Sequence, residues 1–268
     1  MNRRILLGTM LMVLVWTGRA QEPVAVCDTN DCRAFLTLGG GPSYGVSRDQ
    51  GVSPIAYQLI ALAPYTELSL DYGQWGFRTE LSLSPYLLTK NFQLTEELSA
   101  HGYGVDLMLL SGFEHRVLHR EKMRVKVGLA GAGWLIMSYN SSYMNACVSL
   151  SSLVAPVISC QGEWDLWRFT LYGSAGAAPV GGWYRPGFAY ISNYSSGESE
   201  VATFNDDYSW NTTLFPLLKT ELGIDYRFKK GHSLGASYRW YFLTTRESGN
   251  WPFEAARHHL RLVLRIAL

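Results

Sequence analysis

Residues Gly231-His232-Ser233-Leu234-Gly235 match the G-x-S-x-G pattern that can make a serine nucleophilic. That chemistry needs a buried strand before the serine and a helix after it, so that the hydroxyl sits on a strained turn. Here the charged run Phe228-Lys229-Lys230 comes before, and Ala236 to Phe242 alternates as a strand. Gly231 is therefore read as a turn residue and Ser233 as part of a strand's polar face. Candidate acid–base groups are the histidines His101, His115, His119, His232, His258 and His259, with Glu254 near the last two and Asp206 and Asp207 beside a different loop. Cys27 and Cys32, in the run CDTNDC, are a candidate disulfide clipping a tight turn. A metal held by Asp28, Asn30 and Asp31 is the lesser reading of that run, and neither metal nor cofactor is expected.

The elements that must position these groups begin with an export signal. Arg3 and Arg4 precede the apolar stretch Ile5–Trp16, and Gly18-Arg19-Ala20 supplies small residues for cleavage before Gln21. The stretch is too short for a membrane helix, which needs about 20 apolar residues. No cysteine stands at the cleavage point, so a lipoprotein is not expected. The division read from the sequence is residues 1–20 as signal peptide, 21–32 as an N-terminal periplasmic segment and 33–268 as one domain. Charged residues make up only 17% of the chain and aromatics 13%, against about 25% charged in ordinary soluble domains. A surface that does not face water would account for that. A net charge of +1 gives no basis for nucleic-acid binding.

From Arg33 onward the pattern has period two rather than the helical period. Phe77, Thr79, Leu81, Leu83, Pro85 and Leu87 alternate with Arg78, Glu80, Ser82 and Ser84. Leu260, Leu262, Leu264, Ile266 and Leu268 alternate with Arg257, His259, Arg261 and Arg265. The segments exceed the usual five to six residues of soluble strands. Their polar faces mix Gly, Ser and Tyr with both charge signs, which suits a packed lumen. Tight connections near Gly73–Gly76, Leu118–Glu121, Glu163–Leu166 and Phe228–Gly231 alternate with longer ones. Short periplasmic turns and long outer loops are the rhythm of membrane barrels. Aromatics gather at both ends: Tyr72, Trp75, Phe77, Trp164 and Trp167 by the short turns, Trp183, Tyr184, Trp210 and Trp251 by the loops.

The expected fold is all-β, a transmembrane antiparallel up-and-down β-barrel. Ten strands are predicted, at about 33–46, 54–72, 76–90, 101–117, 122–139, 148–162, 167–183, 208–227, 232–246 and 255–268. Eight and twelve are the alternative counts, because the sixth segment alternates poorly. Along that segment Cys147 and Cys160 would stand about 40 Å apart and could not pair.

Gly223 to Phe242, GIDYRFKKGHSLGASYRWYF, resembles the strand–turn–strand units of small outer-membrane β-barrel proteins common in Bacteroidota. The resemblance is one of pattern over most of the chain, without a specific motif, and Leu268 departs from the terminal aromatic of many such barrels. It implies a Gram-negative outer membrane reached by Sec export, with membrane lipid, lipopolysaccharide and other envelope proteins as partners. That family holds subunits of secretion or uptake machinery, so it implies an architecture rather than an activity.

Within this frame the histidines divide. His115, His119 and His232 fall near periplasmic turns, the wrong end for barrel-embedded enzymes, which keep their catalytic groups near the outer rim. His101, His258, His259 and Glu254 fall toward the outer half, without a paired serine or aspartate. The predicted lumen charges are Glu67, Asp71, Arg78, Glu80, Asp106, Glu114, Arg116, Arg124 and Lys126 in the first half. Arg168, Lys219, Glu221, Asp225, Arg227, Arg239, Arg261 and Arg265 follow in the second. Interleaved signs point to salt bridges across a narrow, filled lumen rather than an open pore. Pro42, Pro64, Pro85, Pro156, Pro179 and Pro216 fall on the apolar face of predicted strands, where proline cannot donate to a ladder. Pro64, Pro85, Pro156, Pro179 and Pro216 mark a candidate lateral gap. The leading functional expectation is a non-enzymatic scaffold or subunit of an envelope or secretion assembly with surface-exposed loops. A lipid A- or phospholipid-modifying enzyme is one alternative. A narrow channel or a hydrophobic-ligand transporter with lateral access is the other.

Overall fold

In a bilayer core the backbone can pair only with itself, and period-two segments do so by closing into a ring. The computed structural model describes residues 32–49, 56–89, 102–140, 147–186, 208–228, 231–245 and 253–268. Its strands are β1 (Cys32–Gly40), β2 (Pro42–Asp49), β3 (Ala56–Leu62), β4 (Tyr65–Tyr72), β5 (Trp75–Thr89) and β6 (Gly102–Arg120). They continue as β7 (Met123–Asn140), β8 (Cys147–Leu166), β9 (Phe169–Pro186), β10 (Tyr208–Arg227), β11 (Ser233–Thr244) and β12 (Phe253–Ala267). All pairings are antiparallel, and β12 returns to β1 and β2 to close the barrel.

Twelve ladder segments make ten staves. The halves β1 and β2 form one long strand, lower and upper, against β12. The halves β3 and β4 do the same against β5. The first break lies at Gly41, where a Cβ would stand 2.1 Å from the carbonyl oxygen of Leu260. Only glycine lets the chain cross that close to β12. The second lies at Ala63-Pro64. Backbone bonds stitch both breaks, from Ala63 N to the Gly41 carbonyl (2.9 Å) and from Leu83 N to the Pro64 carbonyl (3.1 Å).

Strands β6 to β10 run 18 to 20 residues. At a tilt of about 45° that is roughly 40 Å along the axis, more than the apolar band of about 25 Å that a bilayer requires. The outward face carries that band: Leu107, Leu109, Leu129, Ile158, Leu222, Leu262 and Leu264 are all exposed. Aromatic rings border it at the short-turn end, where Trp75 meets His115 at 4.6 Å and Phe169 meets Tyr226 at 5.3 Å. At the opposite end Tyr103 meets Tyr139 (5.0 Å) and Tyr184 meets Trp210 (5.5 Å). Such girdles sit where rings can bridge lipid and water.

Three sequence expectations change. The third tight turn is Trp167-Arg168 rather than Glu163–Leu166, with Trp167 at φ 55°. Trp183 lies inside the barrel with no exposed surface, not in a girdle. The reason is a bulge in β9: Ala178 and Gly181 both face inward, so alternation changes phase between them. Pro216 is likewise buried on the inner side, because Phe215 and Pro216 together oppose Pro179 across a bulge in β10. Cys147 and Cys160 share β8, so about 40 Å of extended backbone separates them; Cys160 is a free thiol on the outer face. Cys27, and with it the candidate Cys27–Cys32 disulfide, lies outside the described residues, as do the signal segment, His101, Asp206, Asp207 and Trp251.

A barrel closed by hydrogen bonds around its whole circumference should resist dodecyl sulfate until boiled. Unboiled and boiled samples are expected to migrate differently on a denaturing gel. Identical migration, with recovery in the soluble fraction, would sink the membrane-barrel assignment. Gly41→Val should deplete the unboiled, folded band.

Candidate functional site

The inward face of the staves divides the lumen into three zones. Toward the short turns it is charged and holds a cavity of about 760 Å³. The cavity reaches the turn residues Gly73, Gln74 and Gly231. Arg78 bridges Glu67 (2.6 Å) and Glu114 (3.7 Å) and donates to the Gln161 side chain (2.9 Å). Lys126 reaches Asp71 (2.9 Å) and Glu114 (3.7 Å). Arg124 pairs with Glu163 (3.0 Å) and Asp165 (3.2 Å), and Arg227 shares Asp165 (3.2 Å). Arg265 lies over the Phe35 ring at 4.1 Å, and Arg116 stands across the ladder from Lys126.

At mid-height the charges close into one buried layer. Glu80, from β5, has no exposed surface and accepts from Arg239 and from Lys219 (3.2 Å), which come from β11 and β10 on the far wall. Glu221 accepts from Arg239 Nε (2.9 Å) and from Arg261. Aromatic faces take up the remaining guanidinium surface, with Arg261 4.0 Å from the Tyr65 ring centre and Arg239 5.6 Å from that of Tyr241. Two carboxylates thus hold three cations away from water. Such a layer is strong only while complete, since removing one partner strands a buried charge.

Above this layer the filling turns apolar. Asp106 holds Arg257 at 3.0 Å, and His259 stands edge-on to Tyr241 at 5.4 Å. Then Met108, Trp134, Leu153, Val157, Trp183, Leu217, Leu243 and Phe253 form one packed core. Trp183 donates its indole N–H to the Thr244 carbonyl (3.1 Å), and Arg185 caps the core over the Phe253 ring at 5.2 Å. Among the described residues this upper part of the lumen is filled by packed side chains.

The predicted charges come together with one exception. Arg168 sits on the exposed turn, bonded to the Tyr226 hydroxyl (3.1 Å), because the turn falls later than expected. The same displacement brings in two carboxylates from the predicted turn, Glu163 and Asp165. Arg185 and Arg257 also belong to the lumen. Arg257 was legible from its alternation with His259 and Arg261, whereas Arg185 was hidden behind the β9 phase change.

The catalytic candidates do not assemble. Ser233 opens β11, is buried, and donates to Asp225 at 3.4 Å, with a strand and not a helix after it. His232 Nδ1 accepts the amide of Ala267 (3.2 Å), tying the turn to the last strand. His258 faces outward against the Tyr238 hydroxyl at 2.6 Å. Glu254 and His259 lie on opposite faces of β12 by alternation. Among the described residues no group of three or more His, Cys, Asp or Glu is placed to hold a metal ion.

Ten staves, an apolar outer band and a lumen filled by charges below and apolar side chains above define an outer-membrane β-barrel fold. No protein-family profile matches the chain, and no curated protein sequence does. Among solved structures it is similar to the outer membrane protease OmpT of Escherichia coli, with a TM-score of 0.59 over 88% of this chain and 97% of that one. Identity is 7%, so the likeness is one of fold alone. The translocator domain of the autotransporter NalP from Neisseria meningitidis overlaps less well, at a TM-score of 0.36 and 12% identity over 97% of this chain and 99% of that one. Neisserial surface protein A gives 0.35 and 8% over 87% and 96%.

Glu80→Ala should therefore destabilise the barrel by about 3–5 kcal/mol, since Arg239 and Lys219 lose a fully buried partner. Arg227→Ala, at a pair open to solvent, should cost at most about 1 kcal/mol. Urea unfolding in phospholipid vesicles, followed by gel shift, checks the contrast; equal midpoints for the two variants would refute it.

Proposed function

We propose that this chain is a non-conducting, non-enzymatic β-barrel of a Gram-negative outer membrane, acting as a scaffold or subunit of an envelope or secretion assembly. The buried Glu80–Arg239–Glu221–Arg261–Lys219 layer, beneath a packed apolar core, carries this reading. A pore needs a wetted path, and a rim enzyme needs a nucleophile and base within reach of one another; the described lumen offers neither arrangement. In this reading the signal at residues 1–20 directs Sec export, and the short turns, with the start of β1 and the end of β12, face the periplasm. The ends of the long strands opposite the short turns, such as those of β9 and β10, face outward to lipopolysaccharide and other envelope proteins. The host is of Bacteroidota type, on the strength of the pattern in Gly223–Phe242.

Purified barrel in planar bilayers should give no discrete conductance steps, and reproducible steps from the unaltered protein would overturn the closed-lumen reading. Extraction in mild detergent should recover a stoichiometric envelope partner. Recovery of the barrel alone, or a changed lipid A mass profile on deleting it, would overturn the scaffold role.

A further inference from the structure

Strands β8, β9 and β10 lose their ladder at one height. Pairing between β8 and β9 stops at Val154–Gly182 and resumes at Ile158–Ala177, so three residues face four. Between β9 and β10 it stops at Val180–Leu214 and resumes at Ala178–Leu217. Pro156, Pro179 and Pro216 fall in these gaps, one per strand. Backbone donors left unpaired in hydrocarbon are costly. Proline has no N–H, so these residues remove donors that the break would otherwise strand. Phe215 takes φ 49°, rare for an aromatic residue, and turns outward beside Leu214.

What lies behind the break sets it apart from the rest of the wall. The inner side carries Ala155, Val157, Ala178 and Leu217, all buried members of the apolar core. Outside are Val154, Ile158, Leu214 and Phe215, each more than half exposed. A void of about 40 Å³ reaches the seam at Val157, Ala175 and Gly176 and is lined on its other side by Arg78, Glu114 and Lys219. At the level of Val154–Gly182 the wall separates one apolar medium from another, and the charges begin below it, toward Lys219. The break at Pro64 differs in what lies behind it. It is bridged by the Leu83–Pro64 backbone bond, and behind it Tyr65 is stacked under Arg261. Pro85 keeps its ladder to β6 opposite Val105.

We propose that the β8–β9 seam is a lateral binding site for a single acyl chain of a membrane lipid, which enters from the bilayer between Val154–Gly182 and Ile158–Ala177. The inference narrows the candidate lateral gap to Pro156, Pro179 and Pro216 and leaves Pro64 and Pro85 out of it. It needs the barrel in a bilayer and is independent of the scaffold role. A chain that moves from lipid to this core changes neighbours without meeting water, so packing rather than dehydration would hold it.

The test uses the full chain in vesicles of phosphatidylcholine with a diazirine at the acyl terminus, irradiated and mapped by peptide mass spectrometry. Outward residues such as Leu129 and Leu262 should be labelled, and the inward residues Val157, Ala178 or Leu217 with them. Labelling confined to outward residues would overturn the site and leave the barrel standing; no labelling of Leu129 or Leu262 would overturn both. In a cysteine-free background, Ile158→Cys with Ala177→Cys places two thiols at a ladder pair, within disulfide range. Oxidation should cut inward labelling at least tenfold and reduction should restore it, while labelling that is indifferent to the staple would overturn the seam as the route.

Discussion

Every backbone N–H and C=O that passes through hydrocarbon must find its partner within the chain. That requirement turns period-two segments into a closed ring, and closure turns alternation into a division between lipid and lumen. Where the ladder cannot run on, other bonds stand in. Ala63 and Leu83 donate across the breaks at Gly41 and Pro64. On the β8–β10 wall the prolines reduce the number of donors that need satisfying.

Closure also decides the fate of the charges. A ten-stave ring is too narrow for a broad aqueous channel, so inward arginines and carboxylates must neutralise one another. They do so across the ring as well as along neighbouring strands, as Glu80 with Lys219 and Arg239 shows. The consequence, among the described residues, is a lumen filled at mid-height by ion pairs and above by aromatic and aliphatic packing, with its large cavity toward the short turns. Ionic closure and apolar closure act in series, and the register shifts of β8, β9 and β10 lie in the wall around the apolar part.

Most of the architecture was legible because alternation needs only nearest neighbours in sequence. The ten segments, their order and the two-faced character of β5, β7, β10 and β12 follow from residue type at every second position. Legibility failed where the lumen itself is apolar. In β8, Leu153, Ala155 and Val157 face inward while Val154, Pro156 and Ile158 face outward, so both faces are apolar and residue type does not mark the alternation. It failed again at bulges. One extra residue in β9 reverses the phase for everything beyond it, which moved Trp183 and Arg185 inside. A turn two to three residues later than expected exchanged Arg168 for Glu163 and Asp165.

The sequence by itself determined the fold class, the strand order and the set of side chains available to the lumen, because side-chain direction in an extended strand is a local property. The tertiary structure alone decided which charges meet. Glu80 and Arg239 are 159 residues apart and come from opposite walls, and nothing local links them until shear and register place them at one height. It alone also decided that three prolines on three strands coincide. Register is a relation between strands, and a bulge resets it without leaving a mark in composition.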